Sequence, residues 1–171
     1  MRESRLTIRE VALCSLFGAA AWLMPVFFHL VQLGSLFMPM YLPLVTLAFM
    51  VRPGPAAVTA FVVPLMSGLV TGMPPFFPPV ALFMAVELAV MGGLIAFFSG
   101  RWRKWHPLWV LIPVLLLGRA LHVAMAMGFA QVVNLPPRYV GGLSLVSGWP
   151  GIILMIVTVP VIVAMERRLR K

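Results

Sequence analysis

Three ionisable residues interrupt otherwise apolar runs: Glu87, Arg119 and His122. Such side chains are expensive in hydrocarbon, and they mark ion pairs, relays or ligand sites. Arg119 and His122 are three residues apart, so on a helix they share one face. An unpaired charge at depth costs several kcal/mol, which makes a Glu87–Arg119 ion pair the expected arrangement. That pair reads in two ways: a structural lock between two helices, or polar determinants of a small-molecule site. Tyr41 and Trp149 can stack on a ring, and interfacial belts use the same residue types. Gln131 and Asn134 can donate to a ligand. His29 reads as an interfacial turn residue or a lid contact, and His106 has no evident role.

Other chemistry is excluded by pattern. His29, Glu87 and His122 are too scattered for a metal site, and neither HxxxH nor HExxH spacing occurs. There is no Walker-type glycine loop and no GxSxG, and only 4 acidic residues are present. The expectation is therefore no catalytic residue, no metal and no cofactor, and no ATP hydrolysis by the chain itself. Cys14 is the single cysteine, cannot form an intramolecular disulfide, and reads as packing beside Gly18.

The elements that hold these residues follow from composition. Of 171 residues, 62% are hydrophobic and 10% charged. A soluble domain carries about 25% charged residues, so neither a soluble globule nor a disordered chain fits. Apolar runs near the 17–25 residues that cross a bilayer lie at about 9–29, 36–51, 54–72, 79–99, 107–131 and 147–166. The second is interrupted by Pro39 and Pro43, and only Arg52-Pro53-Gly54-Pro55 separates it from the third. The first run follows a basic N-terminus without a convincing cleavage site and reads as a retained span. The expected fold is an all-α integral membrane protein: one membrane domain over 1–171, a bundle of six transmembrane helices.

Charge orients that bundle. With the N-terminus inside, the inner segments hold Arg2, Arg5, Arg9, Arg52, Arg101, Arg103, Lys104, Arg167, Arg168, Arg170 and Lys171, and the outer loops only Arg138. This is the positive-inside pattern, with N and C termini cytoplasmic. The net charge of +9 is thus topology, and no nucleic-acid partner is expected. Arg101-Trp102-Arg103-Lys104-Trp105 reads as an interfacial anchor. On this assignment Glu87 lies about 12 Å, His122 about 13 Å and Arg119 about 18 Å below the outer surface.

Two further patterns concern surfaces. Thr71-Gly72-Met73-Pro74-Pro75-Phe76-Phe77-Pro78-Pro79 is a rigid, apolar outer loop, in which Met73 and Phe76 read as lid or wall. It reads equally as a tight turn. Ala12, Ser15 and Ala19 place small residues on one face of the first span, which allows close approach of another helix, within the chain or from a partner.

Read in order, Met38-Pro39-Met40-Tyr41-Leu42-Pro43, Arg52-Pro53-Gly54-Pro55, Pro64-Leu65-Met66-Ser67-Gly68, Gly72-Met73-Pro74-Pro75, Met84-Ala85-Val86-Glu87-Leu88 and Gly118-Arg119 resemble one branch of a known family. The family is the substrate-binding S components of energy-coupling factor (ECF) transporters. The resemblance implies a multi-pass protein of a bacterial or archaeal inner (plasma) membrane that captures a vitamin or vitamin precursor from outside. It implies delivery inward with an ECF transmembrane scaffold subunit and two ATPase subunits. Ser15-x-x-x-Ala19 is the nearest match to the family's A-x-x-x-A contact with the scaffold, with Ser in place of the first Ala. The ligand site is then expected from Glu87, Arg119 and His122, with Tyr41, Met73, Phe76 and Asn134 as lid or wall. A carboxylated ligand would pair with Arg119 if Glu87 does not neutralise it, and a neutral or cationic heterocycle would suit Glu87. The rival reading is a non-transport membrane scaffold or assembly protein with a structural Glu87–Arg119 pair. A membrane-embedded enzyme is weaker still, for want of a nucleophile–base or metal constellation.

Overall fold

The computed structural model describes residues 6–30, 38–102, 105–134 and 148–169. Among them are six helices and no strand: α1 (Ile8–Leu30), α2 (Tyr41–Ala48), α3 (Pro53–Thr71), α4 (Val80–Arg101), α5 (Leu108–Val132) and α6 (Trp149–Leu169). All except α2 are long and apolar enough to cross a membrane. Local signals set the ends. Thr7 and Glu10 form a reciprocal capping box at the start of α1, with Glu10 N–H donating to Thr7 Oγ1 at 3.3 Å and Thr7 N–H to Glu10 Oε2 at 3.1 Å. Pro53 opens α3 after Arg52, whose backbone is extended (ψ 161°), as a residue before proline prefers. Gly72 closes α3 in the left-handed region (φ 73°), its N–H donating to Gly68 O at 3.0 Å.

The second expected span, about 36–51, differs from the structure. Among the described residues of that range only Tyr41–Ala48 is helical, 8 residues that rise about 12 Å against a hydrocarbon core of about 30 Å. Thr46 and Leu47 carbonyls accept tightened turns from Phe49 and Met50, and the proline at 53 forbids continuation. Tyr41 and every residue from Pro43 to Ala48 are buried. An apolar run with no polar face need not reach lipid, and here it fills the middle of the bundle against α1, α3, α4 and α6.

Counting the short α2, successive helices alternate in direction, so that α1 and α3 both start at the same end. The start of α1, the α2–α3 turn and the end of α6 meet at one end, called here the basic end. There the Arg52 guanidinium grips the Glu10 carboxylate, Nε to Oε1 and Nη2 to Oε2, both at 2.7 Å. The Arg52 N–H adds a third donor at 3.2 Å. The hydrogen-bonded Glu10 carboxylate holds the Arg52 proton more tightly than usual. Arg9 Nη2 reaches Glu166 Oε1 at 2.7 Å, which joins the first helix to the last at this end. Beside them Phe98, Trp102 and Trp105 stack at 5.1 Å ring separations, as an anchoring aromatic cluster at the end of α4 would.

Close packing inside relies on small residues. Gly92 of α4 lies against Ala56 and Ala60 of α3, where an added Cβ would stand 3.3 Å from the Ala56 carbonyl. Leu44, Leu47, Met91, Ile95, Leu111, Met155 and Val159 make the central core. The outward faces are apolar too, with Leu69 71% and Trp109 71% exposed, which suits lipid and not water. Pro25, Pro64, Pro113 and Pro160 lie inside helices that continue through them, as bundle neighbours permit.

Candidate functional site

Eight residues into α4, Glu87 is 1% exposed. α2 begins at that level and presents Tyr41, whose hydroxyl donates to Glu87 Oε2 at 2.5 Å. α5 presents His122, whose Nδ1 lies 2.8 Å from the same oxygen. A carboxylate only accepts, so with Glu87 ionised the His122 Nδ1 carries the proton. Three elements are thus tied at one oxygen. The burial of α2 is what brings Tyr41 there.

The contact between α4 and α5 depends on Gly118. A Cβ there would collide with Met91 and stand 3.4 Å from Glu87 Oε1. The Gly118-Arg119 pair therefore combines a close approach of α5 to α4 with the next residue's guanidinium beside it. Phe83 packs edge-on to His122 at 6.3 Å and to Phe129 at 6.0 Å, forming an apolar wall toward the opposite end of the bundle.

Arg119 does not pair with Glu87. No ion pair joins them among the described residues, and this corrects the sequence expectation. The guanidinium lies over the Tyr41 ring, 5.9 Å from its centroid, and Nη2 donates to the Met38 sulfur at 2.8 Å. Both partners are neutral: a π face and a thioether, a weak acceptor. Met38 reaches this position from a left-handed backbone (φ 46°), a conformation long side chains seldom adopt. Gly148, just before α6, closes the other side, since a Cβ there would collide with Arg119 and Met38. The physical reason for the changed pairing is competition. Tyr41 and His122 already occupy Glu87, so the carboxylate no longer needs the guanidinium.

Of the residues expected at the site, the structure brings together Glu87, Arg119, His122 and Tyr41. Met73 and Phe76 belong to the 72–79 loop, which folds back on α3. There Ser67 Oγ donates to Met73 O at 2.7 Å, and a Cβ on Gly68 would stand 2.8 Å from the Phe76 ring and the Pro74 carbonyl. No hydrogen bond or ring contact joins Met73 or Phe76 to the Glu87 cluster among the described residues. The loop's ring contact is made by Phe77, which meets Phe129 edge-on at 6.5 Å, and Phe129 in turn packs on Phe83. Asn134 follows the end of α5 with φ 55° and is exposed, about 18 Å along the axis from His122. Trp149 is exposed at the start of α6. The His29 side chain, Arg2, Arg5, Arg103, Lys104, Arg138, Arg170 and Lys171 lie outside the described residues. Sequence reasoning missed Met38, Phe83 and Phe77. Met38 stands in a quoted motif, but its approach to Arg119 across 81 positions leaves no local signal.

Ala12, Ser15 and Ala19 are all exposed on α1. Ser15 and Cys14 border a groove of about 550 Å³ between α1 and α3. No group of three or more His, Cys, Asp or Glu side chains that could hold a metal occurs among the described residues.

Fold and site together define a class: an all-helical, multi-pass membrane protein with a polar cluster inside its apolar bundle. Compared with models of protein families, with curated proteins and with solved structures, the chain finds no match.

Proposed function

We propose that this chain is the substrate-binding S component of an ECF-type importer. In this reading it resides in a bacterial or archaeal inner membrane with both termini cytoplasmic. It captures a vitamin or vitamin precursor from outside and passes it inward with a scaffold subunit and two ATPases. It is not itself an enzyme. The observation that carries the reading is the gathering of Tyr41, Glu87, Arg119 and His122 from α2, α4 and α5 at one level of an otherwise apolar bundle. Polar groups concentrated this way inside a membrane bundle are what a small, specific ligand site requires. The motif order from Met38 to Arg119 supports it, because those motifs frame this cluster.

The test is a thermal-shift and native mass-spectrometry screen of the purified full chain against vitamins and precursors. Co-purification with a scaffold–ATPase module is tested alongside. Binding of one compound and recovery of the module are the expected results; neither being seen would sink the reading. The internal satisfaction of Glu87 by Tyr41 and His122 favours one alternative, a non-transport membrane scaffold in which this cluster is a structural lock.

A further inference from the structure

We infer that the compound held at this site is a water-soluble monoanion, specifically a carboxylate, and that Arg119 is the group that binds it. This deepens the S-component reading and rests on it.

Arg119 stands about midway along the 25 residues of α5, where a bare cation is least tolerable. Among the described residues no carboxylate forms an ion pair with it. Glu87, the one carboxylate within the described spans at that level, is committed to Tyr41 and His122 through Oε2. The guanidinium has five N–H donors, and a thioether takes one of them. Arg119 is itself only partly buried.

A second feature points the same way. Arg119 abuts Gly148, which precedes the N-terminal end of α6, where unsatisfied N–H groups carry the positive pole of the helix. Two positive features adjoin with no carboxylate between them among the described residues. An anion placed there would be stabilised by both.

The geometry also selects the kind of anion. A guanidinium presents parallel N–H bonds that match the two oxygens of a carboxylate. A phosphate dianion would need a second cation, and Arg119 is the only Arg or Lys at that level among the described residues. His122 is already engaged by Glu87. The Phe83–Phe129 wall would then meet the apolar part of the same molecule.

The experiment begins with the full chain purified from membranes, from which any carried compound is released by denaturation and identified by mass. Binding is then measured for matched acids and neutral counterparts: pantothenate with pantothenol, nicotinate with nicotinamide, and any recovered acid with its methyl amide. Wild type, Arg119→Lys and Arg119→Gln are compared. The expected result is an acid that binds roughly tenfold or more tightly than its neutral counterpart. The preference should survive in part with lysine and vanish with glutamine. The wild-type comparison needs no variant to fold. Equal binding of acid and amide, a recovered compound that is neutral or cationic, or a phospholipid as the recovered anion would each overturn the inference while leaving the importer reading in place. An acid preference retained in Arg119→Gln would remove Arg119 as its source. If nothing is recovered and no compound of either kind binds, the importer reading itself falls, and the carboxylate with it.

Discussion

His122 Nδ1 lies 2.8 Å from Glu87 Oε2, and that contact determines what Arg119 is left to do. With Tyr41 on the same oxygen, the carboxylate of α4 is satisfied by one residue from α2 and one from α5. The guanidinium one turn before His122 then rests on a ring face and a sulfur.

Tyr41→Phe removes the buried hydroxyl and keeps the ring under Arg119. Loss of this hydrogen bond to a charged acceptor is expected to lower stability by roughly 1–2 kcal/mol, the upper part of the range for intramembrane bonds. Equilibrium unfolding in mixed micelles would read it. Glu87→Gln should fold and insert, and under the proposed function it should weaken ligand binding by loosening Tyr41 and His122. Full binding by that variant would place Glu87 in a purely structural role.

Gly118→Ala introduces a Cβ where Met91 already stands. Overpacking of this kind typically costs about 1–3 kcal/mol. The companion change Met91→Ala makes room, so the double variant should be less destabilised than the sum of the singles by roughly 0.5 kcal/mol or more. Simple additivity in the thermal unfolding data would argue against a direct collision.

Gly68→Ala acts on the 72–79 loop, because its Cβ would meet Phe76 and Pro74. The loop should lift from α3 and become more open to limited proteolysis between Thr71 and Pro79. An unchanged cleavage pattern would mean that the loop accommodates the methyl group without moving.

Topology can be read by thiol labelling. In a Cys14→Ser background, single cysteines replacing Ser99, Pro53 or Met165 should be reached only by reagents on the cytoplasmic side. A cysteine replacing Pro75 should be reached only from outside. Labelling of Pro53 and Pro75 positions from one side would break the alternating arrangement, and labelling of the first set from outside would invert the orientation.

Under the proposed function, leucine or phenylalanine at Ser15 or Ala19 should leave ligand binding intact and impair assembly with a scaffold subunit. Both residues are exposed on α1, so internal packing has little to lose. Wild-type recovery of the complex in pull-downs would remove this strip from the interface.

The limits of the sequence are visible residue by residue. Pro53 and Gly72 bounded the third expected span, because proline and glycine act within a turn of the chain. The α2 segment misled, because an uninterrupted apolar run looks alike whether it spans lipid or fills a core. Glu87, Arg119 and His122 were conspicuous as charges in apolar runs, and their common depth followed from helical rise. Their partners did not, because Tyr41 reaches Glu87 across 46 positions and Met38 reaches Arg119 across 81.

The amino-acid sequence by itself determined an apolar, basic-ended helical chain and the three positions where its apolar character breaks. Composition and periodicity carry that information locally, since hydrocarbon admits only backbones that satisfy their own hydrogen bonds. Tertiary structure alone decided the pairing. It buried a short α2 in the middle, delivered Tyr41 and His122 to Glu87, and left Arg119 without a carboxylate. Several donors competed for one buried acceptor, and packing geometry chose among them.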